Sequence, residues 1–132
     1  KRVAFASEIL TNPPILLCDE PTSGLDSFLA IQLVKVLKKL AATKSMTIVF
    51  TIHQPSSQVY ELFDRVYMMA DGRVAFCGKQ DSAERFWSQL GRPLPRNFNP
   101  ADHYISSLST KNPERSGHRS SKTKAGFFSI IS

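Results

Sequence analysis

The sequence lacks long apolar runs and has few cysteines, and both features narrow the class of protein. No stretch approaches the roughly 18 apolar residues of a membrane-spanning helix, and no signal peptide is recognisable. The two cysteines, Cys18 and Cys77, stand in apolar runs, and neither has a CxxC or a zinc-binding spacing. We therefore expect a reduced, cytosolic setting, with any membrane attachment supplied by sequence outside this chain.

The sequence also lacks a basic surface pattern in its main body, although its formal net charge is +6. Residues 1–110 carry 12 Lys and Arg against 10 Asp and Glu, whereas residues 111–132 carry 5 against 1. A basic stripe with interleaved aromatic residues, typical of nucleic-acid binding, is missing from the body. We expect no nucleic-acid partner, because a basic polar tail is more often a solvated linker or a membrane-surface contact.

The composition predicts one folded region followed by a tail. A hydrophobic content of 42% and a charged content of 21% are ordinary for a globular protein. The chain begins with Lys1, and residues 2–10 already have helical spacing, so we expect an upstream portion to be missing. Residues 1–110 are predicted to fold, and residues 111–132, rich in Ser, Lys, Arg and Gly, are predicted to be disordered.

The first half of the folded region is typical of a parallel α/β sheet. The run Ile15–Cys18 is apolar on both faces, as buried parallel strands are, and Met46–Ile52 is a second, β-branched strand. Between them, Asp26 or Ser27 can cap a long helix with one apolar face. Strand, helix and strand together predict one crossover unit of a parallel sheet.

The second half predicts a hairpin between short helices. A helix starting at Ser56 or Ser57 is expected to run through Phe63, and Asp71-Gly72 is a strong hairpin turn between two strands. These strands are Arg65–Ala70 and Arg73–Cys77.

Two further helices are predicted after the hairpin. Asp81 and Glu84 suggest a capping box for a helix whose apolar residues are Phe86, Trp87 and Leu90. Asn99-Pro100 opens the second of these helices.

Two adjacent acids follow the first predicted strand. Asp19 and Glu20 come at its carboxyl end, where parallel sheets place their ligand sites, and burying two acids without a purpose is costly. In P-loop NTPases the acid at this position holds Mg²⁺, which makes Asp19 the candidate metal ligand. Glu20 could act as a base or orient the attacking water; the alternative is that the two acids merely cap a loop.

A histidine follows the second predicted strand, in the run Thr51-Ile52-His53-Gln54-Pro55. The carboxyl ends of neighbouring parallel strands meet at one edge of the sheet, so we expect His53 near Asp19 and Glu20. There it could hydrogen-bond a phosphate or a water. The alternative is a purely structural histidine.

These motifs together resemble a known family. The apolar strand followed by Asp-Glu-Pro-Thr-Ser-Gly-Leu-Asp at 19–26, and the later strand ending in His53, resemble the Walker B motif, D-loop and H-loop of ABC ATPases. Three further segments are similar to the G subfamily, which contains the White, Scarlet and Brown half-transporters. They are the run 51–57, the hairpin continuing to 76–78, and Asn-Pro-Ala-Asp at 99–102. The resemblance covers roughly residues 1–110 and implies a P-loop NTPase-like partial parallel sheet with flanking helices and a β-hairpin, an incomplete ABC ATPase domain.

The resemblance implies a role for each matching residue. Asp19 would hold Mg²⁺, mainly through water, Glu20 would be the catalytic carboxylate, and His53 would contact the γ-phosphate of ATP. The resemblance also implies a D-loop that crosses the dimer interface, and a nucleotide-binding role for the polar residue next to His53. The D-loop residues are Ser23, Gly24, Leu25 and Asp26, and the neighbour of His53 is Gln54.

The sequence also departs from the family pattern. The phosphate-binding motif G-x-x-x-x-G-K-[ST] does not occur. The Gln-containing loop and the membrane helices are also absent. Lys1-Arg2 would directly follow the Ser-Gly-Gly signature of the family. Residues 126–132 match nothing in the family pattern. We therefore expect the isolated chain to be inactive and poorly soluble, with the edges of both predicted parallel strands exposed.

The implied function is that of the ATP-binding and ATP-hydrolysing segment of an ABC transmembrane transporter, at the cytoplasmic face of a membrane. Its implied partners are a second half-transporter, identical or different, its own membrane domain, and a small-molecule or lipid substrate. Two alternatives stay open: a soluble ABC ATPase of DNA repair or translation, and a truncated, non-catalytic product that binds a full-length partner.

Overall fold

One five-stranded sheet organises the part of the chain that the computed structural model describes, residues 9–109 and 125–132. Its strands are β1 (Ile15–Cys18), β2 (Thr47–Ile52), β3 (Arg65–Ala70), β4 (Arg73–Lys79) and β5 (Ala125–Ile131). The helices are α1 (Ser27–Lys44), α2 (Ser57–Tyr60), α3 (Gln80–Gln89) and α4 (Pro100–Ser109). The helix predicted over residues 2–10 lies almost entirely outside the described residues.

The sheet contains the predicted crossover unit. The strand order is β1-β2-β5-β3-β4, and β1 and β2 are parallel, with Cys18 opposite Phe50. Helix α1 connects them. Since β5 is antiparallel to both β2 and β3, strands β1, β2 and β3 all run in one direction.

Strand β5 differs from the prediction of disorder for residues 111–132, and it does so for Ala125–Ile131 alone. Ala125–Ile131 lie between β2 and β3 and are hydrogen-bonded to both, while residues 110–124 lie outside the described residues. Phe127 and Ile131 are buried, because alternate side chains of a strand point to one face. Strand β2 is consequently paired on both sides, so the prediction that it exposes an edge is wrong.

The core lies on one face of the sheet. Alternate residues of β2, namely Ile48, Phe50 and Ile52, are buried there against the helices. On the opposite face of β1, Ile15 and Leu17 are 60% and 76% exposed within the described part of the chain. In the described part of the chain β1 therefore differs from the prediction of a strand buried on both faces: there it is an edge strand with one covered face.

The hairpin turn is confirmed in detail. Asp71 and Gly72 have φ angles of 49° and 75°, as a two-residue turn of the primed type requires. Strand β4 extends beyond the predicted end at Cys77, to Lys79.

Two helix predictions need correction. Helix α2 ends at Tyr60 rather than Phe63, and α3 begins at Gln80 with no capping bond from the side chain of Lys79. Asp81 is therefore inside the first turn of α3, where its charge still suits the helix dipole, but it forms no capping box.

The helices of the described residues differ from membrane spans. Within residues 9–109 and 125–132, none combines the length and the apolar character needed to cross a bilayer.

Candidate functional site

The candidate site lies where β1 and β2 end side by side. Their parallel register places Cys18 opposite Phe50, so Asp19 leaves β1 at the level of Thr51. Asp19 and Glu20 are both exposed. The desolvation cost expected for two buried acids therefore does not arise, and both side chains are accessible to a ligand.

The hydroxyl of Thr51 joins the two acids to β2. It donates a hydrogen bond to Oδ1 of Asp19 at 2.7 Å and accepts one from the backbone N–H of Glu20 at 2.7 Å. These bonds connect segments 32 and 31 residues apart in the sequence. Thr51 was not predicted as a site residue, although a hydroxyl residue at the same end of the neighbouring strand is a signal that points to it.

Glu20 has an unusual backbone conformation. Its φ is 43°, in the left-handed region that costs a non-glycine residue roughly 1–3 kcal/mol. Its carbonyl accepts a bond from the N–H of Ser23 at 3.1 Å, while its own N–H donates to Thr51. Both backbone polar groups of Glu20 are thus used to hold this conformation.

The predicted D-loop forms the connection from β1 to α1. Gly24 has a φ of 76°, which glycine adopts without strain, and the N–H of Leu25 donates to the carbonyl of Thr22 at 3.1 Å. Asp26 is the N-cap of α1, and its Oδ1 accepts from the N–H of Leu29 at 2.9 Å. Ser23, like Gly24 and Asp26, is exposed, so this loop has an accessible surface.

His53 and Gln54 follow the last residue of β2 directly, and both are exposed. Gln54 has a φ of 50°, and the next residue, Pro55, is held from a distant helix. Nδ2 of Asn99 donates to the carbonyl of Pro55 at 2.9 Å, while Oδ1 of Asn99 accepts from the N–H of Ala101. Asn99, the residue before α4, thus accepts a hydrogen bond from the first turn of that helix and anchors the histidine segment at the same time. This contact was not predicted from the sequence.

The side chains at the site can be compared with the ligands that a metal ion takes in proteins. Among the described residues, no three His, Cys, Asp or Glu side chains form a cluster that could hold a metal. Mg²⁺ usually takes one or two carboxylates, and substrate phosphates and water complete its coordination. The exposed carboxylate of Asp19 therefore fits the small number of protein ligands that Mg²⁺ usually takes.

Comparison with known proteins identifies the family. A family model described as ABC-2 type transporter matches residues 53–124, more than half of the chain. Protein white of Drosophila melanogaster is 58% identical over 108 residues, which are 82% of this chain and 16% of that protein. The ABC transporter ATP-binding protein/permease wht-1 of Caenorhabditis elegans is 50% identical over 131 residues, 98% of this chain and 19% of that protein. ABC transporter G family member 13 of Arabidopsis thaliana is 42% identical over 105 residues, 80% of this chain and 15% of that protein.

The chain belongs to the G subfamily of ABC transporters.

This G-subfamily chain spans between 15% and 19% of the length of these three relatives. The family predicted from the motifs at residues 19–26 and 51–57 is thereby confirmed. The relatives are named as transporters, which favours the transporter expectation over a soluble ABC ATPase of DNA repair or translation.

Proposed function

We propose that this chain is the C-terminal part of the ATP-binding domain of a G-subfamily transporter, with a P-loop NTPase-like fold in the complete domain. One observation carries the proposal: the Asp-Glu pair after β1 and the Thr51 segment of β2 are hydrogen-bonded at one edge of the sheet. The relative wht-1, whose name includes ATP binding, supports the same function.

The proposed chemistry assigns different work to the two acids. Asp19 would hold Mg²⁺, which when bound neutralises charge on the β- and γ-phosphates of ATP. Glu20 would orient the attacking water or accept its proton, because a carboxylate beside the phosphates can act as a positioned base. His53 would hydrogen-bond the γ-phosphate, and Gln54 would lie beside it.

The loop between β1 and α1 would serve the interface with a second ATP-binding domain. Ser23, Gly24 and Asp26 are exposed, and the Asp26 cap holds the end of the loop to α1. In this proposal the partner is a second half-transporter, and the membrane domain of the same protein carries a small-molecule or lipid substrate. The chain would lie at the cytoplasmic face of the membrane.

The assignment is tested by single substitutions in the complete transporter. Glu20→Gln keeps shape and hydrogen bonding but removes the charge that water activation needs, so turnover should fall by ~10²- to 10⁴-fold while Mg·ATP binding persists. Asp19→Asn should weaken Mg²⁺-dependent binding as well as turnover. His53→Ala should also lower turnover. The fall should be smaller than for Glu20→Gln if His53 only positions the phosphate.

Mg·ATP affinity and single-turnover hydrolysis are measured in parallel for these variants. Glu61→Gln is the matched control, because it makes the same chemical change at an exposed position just after α2 and should hydrolyse ATP at the parental rate. Parental turnover in Glu20→Gln would show that the Asp-Glu pair is only structural.

A further inference from the structure

The side chain of Thr51 lies on the face of the sheet opposite the core. Its neighbours Phe50 and Ile52 point to the buried face of the sheet, and Thr51 points to the opposite face because strand residues alternate. Its side chain is only partly buried. Replacing it should therefore leave the packing of the core intact.

The hydroxyl of Thr51 donates one hydrogen bond and accepts another. The hydrogen goes to Oδ1 of Asp19, and the oxygen accepts the N–H of Glu20. The second carboxylate oxygen of Asp19 accepts no hydrogen bond from the described residues, which leaves it available to a water or a cation. The other bond holds the amide of Glu20, whose φ is 43°, and so constrains the direction in which the Glu20 side chain leaves the backbone.

We propose that Thr51 is a positioning residue for ATP hydrolysis, whose hydroxyl orients Asp19 toward the metal and Glu20 toward the attacking water. The inference rests on the function proposed above. Thr51 acts through the two acids and does not itself touch the nucleotide. A threonine is suited to this work because it combines a strand-forming, β-branched side chain with a hydroxyl that can donate and accept hydrogen bonds at the same time.

The test is Thr51→Val in the complete transporter, because valine keeps the shape and strand preference while removing both hydrogen bonds. Loss of a group that orients a metal ligand typically costs about 10- to 100-fold in affinity or activity. We expect kcat to fall by that order and the Mg²⁺ concentration for half-maximal activity to rise. Thr51→Ser should keep kcat and the Mg²⁺ concentration for half-maximal activity close to their parental values, since serine retains the hydroxyl.

A second readout does not depend on turnover. Binding of Mn²⁺ in the presence of a non-hydrolysable ATP analogue, followed by electron paramagnetic resonance, should weaken in Thr51→Val and recover in Thr51→Ser. The matched control is Thr47→Val, on the same strand and face, whose hydroxyl makes no hydrogen bond among the described residues. It should leave Mn²⁺ binding and kcat at parental values.

The outcomes separate this inference from the proposed function when Glu20→Gln is measured beside the Thr51 variants. Loss of turnover in Glu20→Gln with parental behaviour of Thr51→Val overturns the role of Thr51 alone. Parental turnover in Glu20→Gln overturns the proposed function. A fall in Thr51→Val that Thr51→Ser does not rescue, accompanied by a lower Tm, indicates a structural residue and also overturns the inference. Should Thr51→Val fold poorly, Thr51→Ala against Thr51→Ser makes the same comparison, because only serine keeps the hydroxyl.

Discussion

Backbone strain at single residues marks the candidate site. Six non-glycine residues among those described have a positive φ, and two of them, Glu20 and Gln54, lie at the ends of β1 and β2. Asn and Asp tolerate this region through local hydrogen bonds, whereas Glu and Gln do so less readily. Such strain persists only where surrounding contacts hold it, and Thr51 and Asn99 supply contacts of this kind beside Glu20 and Gln54.

The two cysteines should differ in reactivity. Burial raises the pKa of the Cys18 thiol to about 11, whereas Cys77 is exposed. Since the thiolate is the reactive form, only about one Cys18 side chain in a thousand is ionised at pH 8. Iodoacetamide at pH 8 should therefore alkylate Cys77 first, and Cys18 labelling should rise about tenfold per pH unit until the pH nears that pKa.

Mass spectrometry of the folded chain checks this order of labelling. Cys18→Ser and Cys77→Ser each leave a single thiol, so the two rates can be measured separately. Equal rates at pH 8 would contradict the environment that the structure gives Cys18.

At the scale of elements, β5 holds the sheet together. It lies between the β1-β2 pair and the β3-β4 hairpin and is hydrogen-bonded to strands of both. The end of β5 is also tied to α1, because Asp64 accepts from the N–H of Ser132 and from Nζ of Lys38. The last strand in the sequence is therefore central in space.

Adjacent phenylalanines of β5 should differ in their contribution to stability. Phe127 is buried, with its ring 6.2 Å from that of Tyr60, whereas Phe128 is only partly buried on the opposite face, near Tyr67. Phe127→Ala should lower the free energy of unfolding by about 3–5 kcal/mol, as large core truncations do. Phe128→Ala, the matched control, should cost clearly less, because it leaves no buried cavity.

Urea unfolding of the purified chain, followed by circular dichroism, measures both values. Equal losses for the two variants would show that β5 does not present Phe127 to the core.

At the largest scale, the described part of the chain has one covered and one open sheet face. Ile15 and Leu17 remain largely exposed in the described part of the chain, next to the exposed acids of the candidate site. The sequence-based expectation of poor solubility is thus better attributed to this apolar face and the edge of β1 than to an unpaired β2.

The isolated chain should neither bind nor hydrolyse ATP appreciably. In P-loop proteins phosphate affinity comes largely from a glycine-rich cradle and its lysine, and no such motif occurs in this sequence. Isothermal calorimetry with Mg·ATP checks the expectation, with the complete transporter as the positive control. Micromolar binding by the 132-residue chain would contradict it.

Much of the local structure could be predicted because it depends on neighbouring residues. Asp26, one of the two residues predicted to cap α1, is its N-cap, and the Asp71-Gly72 turn has the φ angles that its residue types favour. The β-branched run Met46–Ile52 likewise indicated a strand, and Thr47–Ile52 form β2. The roles of Asp19, Glu20 and His53 stay predictions, since they depend on a nucleotide and on the rest of the domain.

What the sequence by itself determined is the family, the crossover from β1 to β2 and the positions of the two acids, because motifs and periodicity are local patterns. Only the tertiary structure decided that β5 enters the sheet between β2 and β3, since pairing between distant segments depends on which strand edges and apolar faces are free. The same holds for the Thr51 bridge and the Asn99 anchor. Each joins residues more than 30 positions apart, and a hydrogen bond forms there because the folded sheet brings donor and acceptor within reach.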